Sequence, residues 1–157
     1  MNITVTINGE KMILQISNNE SLAQALRNQS LLSVKIGCGK GHCGACTVLL
    51  DEKPVPSCKL PAALANGKSI QTLEHFSKTK IYSDITKGFS KAGIKLCDFC
   101  ASGKYFAARQ ILLNKERPTR QNVQEYIKHL SPCCIDNNTL IDGIMYAYEN
   151  HNFVKEK

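Results

Sequence analysis

The stretch that decides the fold is Gly37-Cys38-Gly39-Lys40-Gly41-His42-Cys43-Gly44-Ala45-Cys46-Thr47-Val48. It contains three cysteines at a C-x4-C-x2-C spacing, and Cys58 follows after a short strand-like segment. The glycines of the stretch allow the positive φ angles and the close approach that a loop needs to wrap round a small inorganic group. The sequence thus places three thiols in one tight loop and a fourth in a neighbouring segment.

This cysteine spacing is that of the plant-type ferredoxins, which hold a [2Fe–2S] cluster. Each iron takes two thiolates beside its two bridging sulfides, so four cysteines complete the set. A zinc site is the alternative, but zinc knuckles usually pair two C-x2-C units. We therefore expect a first [2Fe–2S] cluster on Cys38, Cys43, Cys46 and Cys58.

The length of 157 residues and the hydrophobic content of 43% allow one domain or two small ones with packed cores. Residues 1–6 alternate like a strand and have neither a basic n-region nor an apolar h-region, which predicts that no signal peptide precedes them. No apolar run approaches the length of a membrane span. We therefore expect a cytoplasmic protein without membrane contact, in which the eight cysteines favour metal ligation over disulfides.

The formal net charge of +7, taken alone, suggests nucleic-acid binding. That count treats the thiols as neutral, whereas an oxidised [2Fe–2S] core with four thiolates has a formal charge of about −2. Two such clusters would lower the total to roughly +3. Because the lysines are scattered and Trp is absent, we expect no nucleic-acid partner, and a basic face that is solvated or docks an acidic protein.

Residues 1–76 predict a small domain of strands with one helix. The alternating segments 3–7 and 12–16 are separated by Asn8-Gly9, which favours a type I′ turn and predicts a β-hairpin. A helix is expected to begin near Ser21, and short strands follow the cysteine loop. This order of elements predicts a β-grasp, ferredoxin-like domain.

Residues 77–157 change to a helical pattern after a polar link at 75–80. The apolar spacings predict four short helices that pack as a bundle. Their expected starts are near Ile81, Cys100, Pro118 and Asn138. The predicted fold class is therefore α+β, with a β-grasp domain followed by a four-helix domain.

A second set of cysteines lies in the helical part. Cys97 and Cys100 form a C-x2-C at the start of the second predicted helix, and the adjacent Cys133 and Cys134 lie between the third and fourth. In a bundle these two junctions can meet and hold a second [2Fe–2S] cluster. Zinc would suit the same thiols, adjacent cysteines are awkward for either metal, and Cys97 with Cys100 could form a redox-active dithiol. The position behind a [2Fe–2S] domain favours the cluster.

The chain resembles the two-cluster iron–sulfur subunit of the molybdenum hydroxylases, the xanthine dehydrogenase and aldehyde oxidase family. The resemblance covers nearly the whole length and is most specific in the first half. The matching runs are Gly37-Cys38, Gly41 to Val48, Ser57-Cys58, Ile70 to Glu74, the Cys97-x-x-Cys100 pair and Arg117-Pro118-Thr119.

The resemblance implies an electron-transfer subunit whose own residues are not catalytic. Electrons would pass from molybdenum to the helical-domain cluster, then to the ferredoxin-domain cluster, then to FAD and to NAD or another acceptor. Molybdopterin and FAD are expected in a molybdenum-cofactor large subunit and an FAD-binding medium subunit, in a dimer of heterotrimers. The substrate would be a purine, another N-heterocycle or an aldehyde. A chain that ends at Lys157 predicts that these partners are separate chains.

The sequence departs from the family pattern around the second site. The family usually has C-x-C there, and its first cysteine would fall on Pro132, so we expect Cys133 to supply that ligand from a shifted backbone. Leu96 replaces a Gln that is associated with molybdopterin contact, and Asp98 stands where Gly is usual. These changes surround the face expected to meet the molybdenum subunit.

Two other hypotheses stay open at this point. The chain could be a stand-alone two-cluster carrier or redox sensor without a molybdenum partner, or a zinc-stabilised interaction module. For the cluster hypothesis, Lys40 and His42 flank the first site where acidic residues are common in the family. Positive charge there predicts a raised reduction potential of the first cluster.

Overall fold

The computed structural model describes residues 1–153. Within them it has one five-stranded sheet, six α-helices and a 3-10 turn at Ala62–Ala65. The elements in chain order are β1 (Asn2–Ile7), β2 (Glu10–Gln15), α1 (Leu22–Asn28), β3 (Thr47–Leu50), β4 (Lys53–Pro56), β5 (Ser69–Gln71), α2 (Leu73–Phe76), α3 (Lys80–Lys91), α4 (Ala101–Leu113), α5 (Arg120–Ile127) and α6 (Asn137–Phe153).

The predicted hairpin is confirmed. Strands β1 and β2 pair antiparallel, with Ile7 opposite Glu10. Asn8 and Gly9 have φ angles of 53° and 90°, as a type I′ turn requires at both central residues. The Asn8 side chain also accepts a hydrogen bond from Thr72 N at 2.9 Å, which ties the turn to the end of β5.

The sheet has the order β2-β1-β5-β3-β4, in which β1 and β5 are parallel and the other neighbours are antiparallel. Helix α1 packs its apolar side, Leu22 and Leu26, into the core of this sheet. Ser21 caps the helix through a capping box with Gln24, as the sequence predicts for its start. The cysteine loop runs from the end of α1 to β3, and Cys58 follows β4.

The four predicted helices of the second half are confirmed as α3 to α6, and they share their own core. The polar link expected at residues 75–80 is wrong in one respect. Phe76 belongs to a short helix, is 1% exposed, and packs its ring against Phe106 at a centroid distance of 5.3 Å. A buried ring in the connection fixes it to the helical core.

The two cores meet along the β3–β4 hairpin. Leu49 of β3 lies in the core formed by the helices, and Arg109 of α4 forms an ion pair with Glu52 at the hairpin turn. The prediction of a mixed α+β chain is thus confirmed. Over residues 1–153, no helix is long and apolar enough to cross a bilayer.

Candidate metal centres

The predicted ligands of the first centre are Cys38, Cys43, Cys46 and Cys58. The structure shows contacts within two pairs of them, Cys38 with Cys43 and Cys46 with Cys58, and over residues 1–153 it does not gather all four sulfur atoms into one close group. The loop turns backbone N–H groups toward sulfur: Lys40 N and His42 N each lie 3.3 Å from Cys38 Sγ, and Cys43 N lies 3.4 Å from it. The N–H groups of Cys43, Lys40 and His42 lower the pKa of the exposed Cys38 thiol to about 6. The loop is therefore arranged to stabilise a thiolate.

The four thiols of the first centre fall into two environments. Cys38 is exposed, and Cys38 N lies 3.5 Å from Cys43 Sγ. Cys46 is buried, and Cys58 N lies 3.4 Å from Cys46 Sγ. Burial, and after it the neighbouring Cys58, raises the pKa of Cys46 to about 11. Metal ligation would supply the positive charge that makes a thiolate stable at the buried Cys46.

The loop conformation depends on glycine for two different reasons. Gly39, Gly41 and Gly44 have φ angles of 63°, 80° and 76°, the left-handed region that the sequence predicts for this loop. Gly37 has no such angle. A Cβ atom there would overlap the Phe99 ring and lie 2.9 Å from Cys43 Sγ, so this position needs the absence of a side chain.

The second centre consists of Cys97, Cys100, Cys133 and Cys134, whose sulfur atoms all lie within 4.8 Å of one another. Cys97 Sγ is 3.3 Å from Cys100 Sγ and 3.7 Å from Cys133 Sγ, and Cys100 Sγ is 3.4 Å from Cys134 Sγ. The two helix junctions therefore meet, as predicted. Both adjacent cysteines contact the other pair of thiols: the Cys133 sulfur lies near that of Cys97, and the Cys134 sulfur lies near that of Cys100.

The thiols of the second centre also differ in their electrostatics. The N–H of Cys100, then its side chain, lowers the pKa of Cys97 to about 6. Burial, followed by Cys97 and Cys134, raises the pKa of Cys100 to about 12, and the Lys104 ammonium opposes that rise. Cys100 is the N-cap of α4, so the positive end of the helix dipole faces the group.

The donor chemistry of the second centre fits a thiophilic metal group. Four thiols without a carboxylate or imidazole suit zinc or an iron–sulfur cluster. A tetrahedron with metal–sulfur bonds of about 2.3 Å has edges of about 3.8 Å, which is close to the observed sulfur separations. Because two of the four thiols, Cys133 and Cys134, are exposed on one loop, the group has room to widen round a two-iron core. The geometry therefore accommodates either occupant.

Direct contacts join the two centres. Phe99 lies between Cys97 and Cys100 in the sequence, and its ring lies against Gly37, which precedes Cys38. A Cβ atom on Gly103 would lie 2.9 Å from Gly44 Cα, so two backbones touch there as well. Ser131 N donates to His42 O at 3.3 Å. The sequence does not indicate these contacts of Phe99 and Gly103, because a contact between distant segments leaves no local pattern.

Among curated proteins and family models, similarity covers both halves of the chain. Residues 5–72 match the family described as 2Fe-2S iron-sulfur cluster binding domain. The xanthine dehydrogenase iron-sulfur-binding subunit of Escherichia coli O157:H7 is 42% identical over 117 residues, which are 74% of this chain and 74% of that protein. The nicotine 6-hydroxylase small subunit of Paenarthrobacter nicotinovorans is 34% identical over 146 residues, 92% of this chain and 88% of that one.

Solved structures agree with this similarity. Quinoline 2-oxidoreductase from Pseudomonas putida 86 contains a chain that superposes with a TM-score of 0.85 at 34% identity, covering 98% of this chain and 96% of that chain. The aldehyde oxidoreductase of Desulfovibrio desulfuricans superposes with a TM-score of 0.82 at 33% identity, and covers 99% of this chain against 17% of its own length. The similar part of that protein is therefore one segment of a larger polypeptide.

Proposed function

The chain belongs to the iron–sulfur small subunits of the molybdenum hydroxylases, and from this premise we propose how its two centres are built and used. It is the non-catalytic, electron-transfer member of an oxidoreductase complex, and it binds [2Fe–2S] clusters. Molybdenum chemistry belongs to a large partner subunit.

For the first cluster we assign Cys38, Cys43, Cys46 and Cys58 as ligands. The family match over residues 5–72 includes all four of them. The contacts support Cys38 with Cys43 on one iron and Cys46 with Cys58 on the other. The N–H groups around Cys38 would hold its negative charge, as hydrogen bonds to sulfur do in such centres.

For the second cluster we assign Cys97, Cys100, Cys133 and Cys134. The support is the convergence of their sulfur atoms within 4.8 Å. Cys133 would take the place of the ligand expected at Pro132, because its sulfur lies 3.7 Å from Cys97 Sγ. When bound, each cluster accepts and returns one electron, and the residues around it set the potential and exclude water.

We divide the chain into a β-grasp, ferredoxin-like domain at 1–76 and a helical [2Fe–2S] domain at 77–157. Two separate hydrophobic cores support this division, one under the sheet and one among the helices. Phe76 lies at the boundary and packs into the helical core. The division thus separates two metal centres, while the packing at the boundary keeps them at a fixed separation.

The proposed route enters at the second centre from the molybdenum subunit and leaves at the first toward an FAD-binding medium subunit. Each centre has exposed thiols, Cys133 and Cys134 at one and Cys38 at the other, so a partner cofactor can approach both. The names of the relatives support an N-heterocycle, a purine or an aldehyde as the substrate of the complex. We further propose a cytoplasmic dimer of heterotrimers.

One observation carries the relay: the sulfur atoms of Cys97, Cys100, Cys133 and Cys134 converge, and Phe99 and Gly103 beside them contact the loop of the first four cysteines. The test is iron and acid-labile sulfide per chain, followed by EPR of the dithionite-reduced protein. We expect about four irons, four sulfides and two distinct signals. About two irons with one zinc would instead show that the second centre is a structural zinc site, and the relay would be wrong.

Partnership needs a separate test. Affinity purification of the tagged chain from its native host should retain a molybdenum-containing large subunit and a flavoprotein in equal amounts. Recovery of a two-cluster chain without molybdenum would favour the stand-alone carrier, which Leu96 and Pro132 keep open as an alternative.

A further inference from the structure

The segment that leads into the cysteine loop of the first centre also contacts the chain around the second centre. The Ser102 hydroxyl donates to Ser33 O at 3.5 Å, and Lys35 Nζ donates to Asp98 O at 3.0 Å. Asp98 lies two residues before Cys100, and Ser102 lies two residues after it. The approach to the first centre thus touches the chain on both sides of a proposed ligand of the second.

One carboxylate holds this segment in place. Ser33 N donates to Glu74 Oε1 at 2.7 Å, and the Ser33 hydroxyl donates to Glu74 Oε2. Burial raises the pKa of Glu74, but hydrogen bonds, with that of the Ser33 hydroxyl first among them, outweigh burial and hold the pKa below its usual value. The carboxylate is therefore ionised at neutral pH, and hydrogen bonds to a charged acceptor are stronger than those between neutral groups. Ser33 cannot leave this position without losing both bonds.

Glu74 lies on α2, the short helix that connects the two halves of the chain. Two residues further along the helix, the buried Phe76 ring packs against Phe106 of α4, the helix whose N-cap is Cys100. Helix α2 is therefore attached to the helix of the second centre through Phe76 and to the loop of the first centre through Glu74.

We propose that Glu74 is a positioning residue of the electron relay, which sets the separation of the two clusters by holding Ser33 against α4. This inference rests on the proposed function, because it requires a cluster at each centre. Glu74 neither binds a cluster nor carries an electron. Without its carboxylate, the segment that begins at Ser33 can move away from Ser102 and Asp98, so that the two clusters lie farther apart on average.

Glu20 offers a matched control in the first half of the chain. It is half-buried, as Glu74 is. Its carboxylate also accepts one backbone and one side-chain hydrogen bond, from Ser17 N at 2.9 Å and from Asn28 Nδ2 at 2.8 Å. These donors lie before α1 and at its last residue. Glu20→Ala should therefore cost about as much stability as Glu74→Ala without moving either centre.

The test is EPR of the fully reduced full chain with both clusters, in which the unpaired electrons of the two centres split each other's lines. This magnetic interaction falls steeply as the separation of the clusters grows. We expect Glu74→Ala to lose part or all of the splitting that the wild type shows, whereas Glu20→Ala keeps it at a similar loss of melting temperature. Glu74→Gln, which keeps an acceptor for Ser33 N, should retain most of the splitting.

A splitting of wild-type size in Glu74→Ala would overturn the proposal and show that the packing of Phe99 and Gly103 alone fixes the separation. An equal loss in Glu20→Ala would overturn it as well, because the effect would then follow stability and not position. If Glu74→Ala does not retain both clusters, Ser33→Ala, which removes the hydroxyl donor and keeps the N–H, is judged by the same criterion.

Iron and sulfide counts separate the two levels of the proposal. About two irons in the wild type refutes the proposed function, whereas about four irons with an unchanged splitting in Glu74→Ala refutes only the role of Glu74. A wild type with about four irons and no splitting would also refute that role, since the two clusters would then not be held close together.

Discussion

The ring of Phe99 occupies the space beside Gly37 in which any other residue would place its Cβ atom. Phe99 lies between two thiols of the second centre, and Gly37 precedes the first thiol of the first centre. A ring from the Cys97–Cys100 segment therefore packs against the loop of the first centre, although it is 42% exposed. This contact makes a direct test possible, because both partners can be changed independently.

Gly37→Ala should destabilise the chain by about 1–3 kcal/mol, because the new methyl group overlaps the Phe99 ring. In a Phe99→Ala background most of that cost should disappear, since the ring is gone. Thermal unfolding of the wild type, the two single variants and the double variant measures this coupling. For a chain of 157 residues, a shift of a few degrees in melting temperature corresponds to about 1 kcal/mol. Equal costs in both backgrounds would show that the ring and the glycine do not interact.

Gly103→Ala should also destabilise, although alanine normally favours a helix by about 0.5–1 kcal/mol over glycine. A Cβ atom at this position would lie 2.9 Å from Gly44 Cα, and neither backbone can move freely. Ser90→Ala on the exposed side of α3 is the matched control and should be neutral or slightly stabilising. A higher melting temperature of Gly103→Ala would contradict the close contact.

Lys40→Glu should lower the potential of the first cluster. Lys40 is exposed, but its N–H lies 3.3 Å from Cys38 Sγ, so the charge reversal takes place beside a ligand. Screening by water limits the effect to roughly 20–60 mV, equivalent to a two- to tenfold change in the redox equilibrium. A redox titration of the full chain checks this, with Lys53→Glu at the start of β4 as the control. No downward shift would count against the prediction.

Cys133→Ser should remove the second cluster and leave the first, so that iron falls from about four to about two per chain. Pro132→Ala should retain both, because we assign the ligand to the thiol and not to the preceding position. Iron analysis and the number of EPR signals decide between these outcomes. Four irons in Cys133→Ser would assign the fourth ligand to another group.

The buried Asp84 should matter for stability at neutral pH. Its side chain is 2% exposed and its Oδ2 lies 2.8 Å from His151 Nδ1, with Lys80 Nζ 3.2 Å from Oδ1. Burial raises the pKa of Asp84, but the hydrogen bonds from His151 and Lys80 outweigh burial and hold it below its usual value. Because the folded pKa is lowered, the stabilisation is present above about pH 4 and is lost as the pH falls through the lowered pKa.

Asp84→Asn should therefore lower the free energy of unfolding at pH 7 by about 1–3 kcal/mol. Asp142→Asn, which breaks an exposed ion pair with Arg120, should cost less than about 1 kcal/mol. Thermal unfolding at pH 7 compares the two variants. Equal effects would mean that burial adds nothing to the Asp84 interaction.

Sequence patterns sufficed for the features that depend on local spacing. The thiol groups, the Asn8-Gly9 turn and the helix starts were all predictable, because turn types and caps are set by neighbouring residues. The assignment of Cys133 in place of Pro132 depends on the resemblance to the family pattern, and it stays a prediction, although the Cys133 sulfur lies in the second thiol group.

Features that depend on packing between distant segments were not predictable. Phe76 falls in a polar stretch and lies in the helical core, while Lys104 is a charged residue on a helix buried nearly all round. The residues next to them in the sequence give no sign that either side chain is buried. Their burial can be explained only when the residues that pack against them are known, as for Phe99 and Gly37.

The insertion of Leu49 into the helical core has a consequence for synthesis on the ribosome. The first four cysteines emerge early, but Leu49 and Phe76 stay uncovered until α4 has been made, more than thirty residues later. A nascent chain that already holds its first cluster would thus expose apolar surface, and early termination would leave a fragment prone to aggregation. Cofactor delivery and chaperone protection would have to act on this half-made subunit at the same time.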